Sequence, residues 1–474
     1  MKRQKIVALM VASAMLMGTA ACGSSESTPT TVATTAAAET TAAAETTAAD
    51  ETTAAEETTA AEETTAAQAE ANTSDFVELT VQDVADEGTG KVMIYGWNDE
   101  FPGLVEKYSD VEYETEITET NTYQAKLDQV LASGDNAPDM FVCDADYATK
   151  YMNSDNTISI NDIGIAYDEL SNMYNYTLQF ACDDNMVIKG LAWQACPCGI
   201  FYNRNIAQET LGVSEPEDVA PYFATWDAFT ETARKVNEVS NGEKKIVSGT
   251  DEIWRAYLNT RAKGWVVDGE VYVDPVMEGY FDLAKILKDE NLTFEAGQWS
   301  DAWTANMANE TTLSYWGPMW LFNFCFNFGT SNHTEGDWGL VSAPGNFFWG
   351  GTWMMASKYC DMKASCAQIM RDIALNETNL RDMTVTGEFV NSVAIMTELA
   401  ASDTYVVENL GGQNPAAVLL NAATLIDNST VGPNDQKINT EFSNVVASYL
   451  AGDIETVAEA ITTFENNVAE QGII

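Results

Sequence analysis

The spacing of apolar residues in the middle of the chain predicts alternating strands and helices. Residues 91–96 and 138–143 are short apolar runs typical of buried strands. Between them, residues 122–133 carry apolar side chains at a helical spacing, and Gly134 follows, as a glycine often does at a helix end. This order predicts a doubly wound α/β sheet, in which ligands bind beyond the carboxyl ends of the strands.

The same spacing predicts four more helices. One begins at Thr225 and another near Val276. Two C-terminal patterns, at residues 439–450 and 454–468, are separated by a short segment that contains Gly452. The roughly 400 residues after position 75 are enough for two lobes of ordinary domain size.

The N-terminus has a different pattern, which predicts export. Residues 2–5 are mostly basic, and residues 6–17 are an apolar run too short for a comfortable membrane-spanning helix. Small residues then precede Cys22. This resembles a bacterial lipoprotein signal, 1–21, whose removal leaves the cysteine to be lipidated, although Thr19 stands where that pattern has Leu. The alternative is an ordinary secretory signal cut after Ala21.

Residues 22–75 predict a disordered tether behind the lipidated cysteine. Ala, Thr, Glu and Ser make up nearly all of this stretch, and the tetrad TTAA recurs every six residues from Thr34 to Thr64. A segment without aromatic residues and with almost no branched apolar ones buries too little surface to offset the entropy of ordering. We expect it to hold the folded part, residues 76–474, away from the membrane on the extracellular face of the cell.

The charge excludes some partners. The formal net charge is −49 at pH 7, which repels nucleic acid and anionic lipid, so no nucleic-acid partner is predicted. Such a charge also favours solubility outside the cell. No metal or cofactor site stands out in the sequence.

The cysteines leave their pairing open. Seven remain after Cys22, and a count this low is not that of a disulfide scaffold. Buried thiols are the default interpretation, and one or two disulfides are the alternative, which the sequence does not pair. The seven are Cys143, Cys182, Cys196, Cys198, Cys325, Cys360 and Cys366.

Tryptophans beside polar residues suggest a sugar site. A sugar offers an apolar C–H face, which stacks on flat aromatic rings, and a rim of hydroxyls, which carboxylates and amides bind. Trp97, Asn98 and Glu100 directly follow the first predicted strand, and Asp144 follows the second. These positions lie at the ligand end of the predicted sheet.

The order of several local patterns resembles the extracellular solute-binding proteins of ABC importers, specifically the sugar-binding group that includes maltose-binding proteins. The matching segments cover residues 91–468. They are 123–141, GIFYNR at 199–204, TWDAF at 225–229, TLSYWGPMW at 312–320, GGTW at 350–353, YLAG at 449–452 and AEA at 458–460.

The resemblance implies a two-lobed periplasmic-binding-protein-like fold, each lobe a doubly wound sheet flanked by helices, joined by a hinge. It places lobe 1 at about 88–195 plus 351–405 and lobe 2 at about 196–350 plus 406–474. It implies a monomer that captures a neutral mono- or oligosaccharide and delivers it to the permease subunits of an importer. The predicted ligand-binding residues are Trp97, Asn98, Glu100, Asp144, Trp254, Trp316, Trp349 and Trp353.

Two other function classes remain. A surface glycoside hydrolase needs only two suitably placed carboxylates, and this acidic chain supplies many. A carbohydrate-binding surface protein without a transport role is the second. A Ser-His-Asp hydrolase is disfavoured because the chain has one histidine, His333, in a polar segment. The resemblance favours a binding protein that is not an enzyme.

Overall fold

This computed structural model describes residues 73–326 and 337–474. The predicted signal, Cys22 and nearly all of the predicted tether lie outside the described residues, as does His333. All described residues belong to the unit Thr64–Ile474. No helix in the described ranges is long and apolar enough to span a membrane.

A mixed five-stranded sheet contains the first two predicted strands. The strand order is β2-β1-β3-β10-β4. The strand β1 is parallel to both β2 and β3, whereas β10 runs antiparallel to β3 and β4. The strands are β1 (Val92–Gly96), β2 (Tyr113–Ile117), β3 (Met140–Asp144), β4 (Gly190–Ala192), β5 (Gly199–Asn203), β6 (Val266–Val267), β7 (Glu270–Val271), β8 (Ser314–Gly317), β9 (Trp338–Val341) and β10 (Thr352–Ala356).

A second sheet has three antiparallel strands in the order β8-β5-β9. Every residue of β5 is buried, because β5 is the central strand of this sheet, and its last residue, Asn203, is polar but caps the following helix by accepting a hydrogen bond from the Ile206 N–H. The strands β6 and β7 form a separate two-stranded ribbon. The edge strand β2 is half-buried at its ends and exposed in between, consistent with its charged sequence YETEI.

Helices cover the sheets and form most of the remaining structure. They are α1 (Glu100–Tyr108), α2 (Thr120–Ser133), α3 (Ala145–Met152), α4 (Asn175–Ala181), α5 (Arg204–Thr210), α6 (Pro216–Val219), α7 (Trp226–Val239), α8 (Asp251–Leu258), α9 (Val276–Asp289), α10 (Asp301–Ala308), α11 (Met319–Leu321), α12 (Lys363–Ala374), α13 (Glu377–Met383), α14 (Val393–Ala400), α15 (Pro415–Leu425), α16 (Asp435–Ala451) and α17 (Val457–Glu470).

Local signals account for the helix ends. Gly134 adopts φ 76° and closes α2 in the left-handed conformation that glycine tolerates. The Thr225 side chain accepts a hydrogen bond from the Ala228 N–H and starts α7 where the sequence predicts it. The last helix begins three residues later than predicted, because Thr456 caps it. Ile454 instead lies buried in the connection before it.

Two segments carry the chain between the sheets. Residues 193–198 connect β4 of the first sheet to β5 of the second, and residues 342–351 lead from β9 back to β10. The segments hydrogen-bond to each other: the Cys198 N–H donates to the Phe347 carbonyl at 2.9 Å, and the Trp349 N–H donates to the Cys196 carbonyl at 3.3 Å. The two crossings therefore form one paired junction.

Candidate functional site

One side of the candidate site is the strand-end wall, formed by Trp97, Asn98, Glu100 and Asp144. These residues follow β1 and end β3, and the two strands are parallel neighbours, so their carboxyl ends share one sheet edge. The Trp97 ring packs against Tyr123, with ring centroids 5.9 Å apart. The Asn98 side chain accepts a hydrogen bond from the Glu100 N–H at 3.1 Å, which fixes the turn into α1.

The two carboxyl groups of the strand-end wall, Asp144 and Glu100, both have raised pKa values. The Asp144 side chain accepts a hydrogen bond from the Asp146 N–H and caps α3. Burial, followed by the charge of Asp146, raises the pKa of Asp144 to about 7. Glu100 keeps exposed side-chain area, yet its pKa is also raised by burial.

A third carboxylate, Glu388, joins these two and was missed by the sequence analysis. Burial, followed by the nearby charge of Glu100, raises its pKa to about 8, while a hydrogen bond with the Gln194 side chain opposes the shift. Glu388 follows Gly387, which adopts φ 87° at the end of a short helical turn. No sequence motif marks this position, because its approach to Glu100 depends on contacts between distant segments.

The other side of the site is the aromatic wall, formed by Trp299, Trp303, Trp320 and Trp349. The Trp299 and Trp320 rings are nearly parallel, with an interplanar angle of 7° and centroids 6.2 Å apart. Trp349 meets Trp320 edge-on at 4.9 Å, and Trp303 lies 5.4 Å from Trp299. The Trp320 indole N–H donates to the Trp349 carbonyl at 3.0 Å, so the rings are fixed relative to the crossing segment.

Trp299 is the exposed member of the aromatic wall. It is 50% exposed, an unusual exposure for the largest apolar side chain. Its backbone has φ 68°, a conformation that costs a non-glycine residue of order 1–3 kcal/mol. Exposure and strain together at one residue are typical of a functional surface rather than of packing.

A buried carboxylate supports the aromatic wall from behind. Glu252 accepts hydrogen bonds from the Trp303 indole N–H, from the Gln298 side chain at 3.2 Å and from the Trp316 backbone N–H at 3.2 Å. Burial, followed by the charge of Asp251, raises the pKa of Glu252 to about 8. These contacts tie α8 to α10 and β8 and hold Trp303 in place.

An ion pair connects the two walls. The Arg255 guanidinium donates to both oxygens of Asp146, at 2.9 and 3.1 Å, which joins α8 to α3. The same guanidinium lies over the Trp349 ring, 4.8 Å from its centroid. Asp146 lies two residues after Asp144 of the strand-end wall. Arg255 therefore links this wall, through Asp146, to Trp349 of the aromatic wall.

The junction glycines leave room for these contacts. Gly350 has φ 72°, and a side chain there would meet the Trp320 ring at 3.0 Å. Gly351 has φ 91° and lies against the Trp353 ring and the Cys196 sulfur. The GGTW pattern is thus explained by left-handed backbone and close ring packing.

Three predicted ligand residues lie elsewhere. Trp316 and Trp353 are each 1% exposed: Trp316 stacks on Trp226 with centroids 5.7 Å apart, and Trp353 packs 4.3 Å from Phe180. Neither offers a free ring face in this structure. Trp254 is half-buried and lines a separate cavity of ≈160 Å³ between α8, α9 and α16.

The remaining predicted residues occupy the site. Trp97, Asn98, Glu100 and Asp144 form one wall, and Trp349 forms part of the other, although its ring is mostly covered by its neighbours. The list of ligand residues predicted from the sequence contains neither Trp299 nor Trp320, although Trp320 is among four tryptophans of which two are expected from the sequence to touch the ligand. Exposure identifies Trp299, and stacking against Trp299 identifies the half-buried Trp320; both properties depend on the folded chain. Among the described residues, no group of three or more His, Cys, Asp or Glu side chains is arranged to hold a metal ion.

Solved structures share this fold. An extracellular solute-binding protein of family 1 aligns over 81% of this chain and 100% of its own, with a TM-score of 0.69 and 19% identity. An ABC transporter associated binding protein from B. animalis subsp. lactis Bl-04, in complex with beta-1,6-galactobiose, covers 81% and 98%, with a TM-score of 0.64 and 19% identity. The galacto-N-biose/lacto-N-biose I-binding protein of Bifidobacterium longum, in complex with lacto-N-biose, covers 82% and 99%, with a TM-score of 0.62 and 16% identity.

The structural likeness confirms the predicted two-lobed α/β fold. No curated protein matches the chain in sequence. Residues 90–319 do match the family model of the bacterial extracellular solute-binding proteins. In this segment the chain therefore resembles the bacterial extracellular solute-binding proteins in sequence, and the described domain shares the fold of a solved member of family 1.

Proposed function

We propose that the protein captures a neutral sugar, most simply an oligosaccharide, between the strand-end wall and the aromatic wall and delivers it to an ABC importer. The observation that carries the proposal is the exposed ring of Trp299, which lies nearly parallel to the half-buried ring of Trp320, on the other side of the site from a group of carboxylates. The free part of the Trp299 indole offers an apolar surface at the site. Such a surface suits the C–H faces of a chain of sugar units.

The carboxylates complement the hydroxyl rim. The carboxyl groups of Glu100, Asp144 and Glu388 can bond to sugar hydroxyls, and burial raises the pKa of each. Where contact with water is reduced, a hydrogen bond to a sugar hydroxyl is stronger. Within residues 73–326 and 337–474, Arg255 is the cation that we find between the walls, and Asp146 already binds it. An anionic sugar would meet repulsion without a free cation to offset it. The electrostatics thus favour a neutral ligand over a sugar phosphate or uronate.

The proposed contacts differ from the set predicted from the sequence. We assign ligand contact to Trp97, Asn98, Glu100, Asp144, Glu388, Trp299 and Trp320. We assign support of the aromatic wall to Trp349 and packing within the lobes to Trp316 and Trp353. Trp254 has no ligand role in this proposal, because its cavity is lined by α9 and α16 rather than by either wall.

Closure of the two lobes around the sugar is the proposed mechanism. The lobe division predicted from the sequence places Asp146 in lobe 1 and Arg255 in lobe 2, so their ion pair would form only when the lobes approach. A ligand shifts the population toward the closed form only if it contacts both sides. Contact with both the strand-end wall and the aromatic wall meets that condition.

The location follows from the family and from the N-terminal sequence. The family is extracellular. We propose in addition that Cys22 is lipidated, that residues 22–75 tether the domain to the outer face of the membrane, and that the binding unit is a monomer that docks on permease subunits.

Thermal unfolding of the purified protein against a panel of ligands tests the proposal. The panel holds neutral gluco-, galacto- and xylo-oligosaccharides, uronate oligomers, amino acids and short peptides. A ligand that binds only the folded state raises stability by RT ln(1 + [L]/Kd), so a micromolar neutral sugar at millimolar concentration gives a clear shift. A shift from uronates or peptides alone, with no neutral sugar active, would contradict the proposal.

Analysis of the recovered sugar separates binding from hydrolysis. The glycoside hydrolase alternative rests on the proximity of Glu100, Asp144 and Glu388, of which two would flank the bond. The binding proposal predicts that the sugar is recovered intact after prolonged incubation. Cleaved sugar, lost in a Glu388→Gln variant, would favour the hydrolase.

A further inference from the structure

We propose that Cys360 and Cys366 form a disulfide in the exported protein. Their sulfur atoms lie 3.6 Å apart, and both residues are buried, at 5% and 0% exposure. The inference rests on the extracellular location of the family, because disulfides form and persist in oxidising compartments. It does not depend on which solute binds.

The local structure brings the two thiols together. Cys360 lies in the turn after β10, where its N–H donates to the Ser357 carbonyl at 3.0 Å. Cys366 lies in the first half of α12. Five residues separate them, and the turn and the helix bring both side chains into the same buried space. For the bond to form, the side chains would have to rotate and bring the sulfurs from 3.6 Å to about 2 Å.

Other thiols have different partners. The Cys182 thiol donates to the Gln179 carbonyl at 3.0 Å, and the Cys198 thiol to the Cys196 carbonyl at 3.6 Å. Cys360 and Cys366 instead contact each other. The structure thus selects one pair where the sequence leaves the pairing open.

The segment between the two cysteines holds the N-terminal arm, which we define as residues 76–90. The Asp361 carbonyl accepts hydrogen bonds from the N–H groups of Glu87 and Gly88, at 2.7 and 3.0 Å. The Ser365 hydroxyl and N–H both donate to the Asp86 carboxylate, at 2.6 and 3.0 Å. A disulfide at the base of this segment would therefore fix the surface against which the arm lies.

The oxidation proceeds by exchange with an external disulfide. The thiolate of one cysteine attacks the external S–S bond, forms a mixed disulfide and releases one thiolate. The second cysteine, after losing its proton, attacks the mixed disulfide and releases the other thiolate. The two protons end on the two released thiols, and the cysteine pair supplies two electrons.

The timing follows from the surroundings of the thiols. The hydrogen bond between the Cys366 and Cys360 thiols, together with burial, raises the pKa of the Cys366 thiol well above its usual range. A buried neutral thiol reacts slowly, because the thiolate is the nucleophile. The exchange is therefore expected while the chain folds after export, before α12 covers the pair.

Peptide mapping tests the bond directly. The full chain is exported into an oxidising compartment, purified without reductant, denatured in the presence of an alkylating reagent and digested with trypsin. Cleavage after Lys358, Lys363 and Arg371 places the two cysteines on separate peptides, 359–363 and 364–371. The expected result is one linked species that is two hydrogens lighter than the sum of both peptides and that separates on reduction. Two alkylated peptides, or linkage of either cysteine to another partner, would overturn the proposal.

Variants connect the bond to stability. Reduction should lower the melting temperature of the wild type by about 2–4 °C. The shift is small because a cross-link that closes a short loop removes little conformational entropy from the unfolded chain. The double variant Cys360→Ser, Cys366→Ser should melt at the same temperature with and without reductant. Cys182→Ser is the matched control and should keep the reductant-sensitive shift. An equal shift on reduction in the double variant would contradict the assignment, whatever solute the protein binds.

Discussion

The two walls of the candidate site are built in different ways. The strand-end wall comes from residues that directly follow β1 and end β3, so its position is set by the edge of one sheet. The tryptophans of the aromatic wall come from a loop, from α10 and α11 and from a crossing segment. The last of them, Trp349, lies 50 positions after the first, Trp299. The position of the strand-end wall is therefore set by one sheet, whereas the position of the aromatic wall is set by the packing of separate segments.

The two walls also differ in how their side chains are held in place. Carboxylates at strand ends are held by short-range hydrogen bonds, such as that of Asp144 with the Asp146 N–H. The tryptophans depend on longer-range support, from Glu252 behind Trp303 and from Gly350 beneath Trp320. We therefore expect substitutions in the aromatic wall and its neighbours to separate into effects on stability and effects on affinity.

The largest expected effect is on stability, from Trp316→Ala. Trp316 is buried among Trp226, Phe229 and Phe347, so its truncation leaves a cavity and should lower the free energy of unfolding by about 3–5 kcal/mol. Denaturant unfolding measures the loss, and calorimetry on the folded fraction should give nearly unchanged sugar affinity. A stable variant with tenfold weaker binding would instead return Trp316 to the ligand site, as the sequence predicts.

The next effect is on affinity, from Trp299→Ala. Loss of an exposed stacking surface should weaken sugar binding at least tenfold, which corresponds to about 1.4 kcal/mol, with little change in melting temperature. Titration calorimetry measures the change. Tyr359→Ala, which truncates another exposed aromatic residue that packs near Gly134, is the control and should bind normally. Equal affinity in the two variants would remove Trp299 from the site.

The third effect is a pH dependence of stability, which comes from Glu388 beside the strand-end wall. The raised pKa of Glu388, about 8 in the fold, means that the folded state holds a proton that the unfolded state has lost. This contribution to stability is present at low pH and is lost as the pH rises through about 8. The ligand-free protein should therefore melt at a lower temperature at pH 8.5 than at pH 6. Glu388→Gln should reduce the difference, and a difference of unchanged size would argue against a buried, protonated Glu388.

The smallest effect is expected where the walls meet, from Arg255→Gln. The pair with Asp146 is bidentate but partly exposed, so its loss should weaken sugar binding by about 0.5–1 kcal/mol, mainly through faster dissociation. Stopped-flow measurement of sugar release tests this. Arg234→Gln removes a similar bidentate pair with Glu290 and should leave release unchanged. Matching rates in both variants would mean that the Arg255–Asp146 pair does not hold the closed form.

The sequence by itself determined the elements and one wall. Apolar runs and helical spacing marked β1, β3, α2, α7 and α9, because burial of one face imposes a period on the chain. The strand-end rule then located Trp97, Glu100 and Asp144, because the end of a buried strand fixes where the next side chains emerge.

Only the tertiary structure decided which tryptophans are exposed and which distant groups meet. The sequence does not tell Trp299 from Trp316 by residue type, yet one is half exposed and the other fully buried. The approach of Glu388 to Glu100 and of Cys360 to Cys366 likewise depends on how separate segments pack. Periodicity in the sequence predicts which face of a helix or strand is buried. The exposure and contacts of a single residue are instead set by the elements that pack against it, and these elements are distant in the chain.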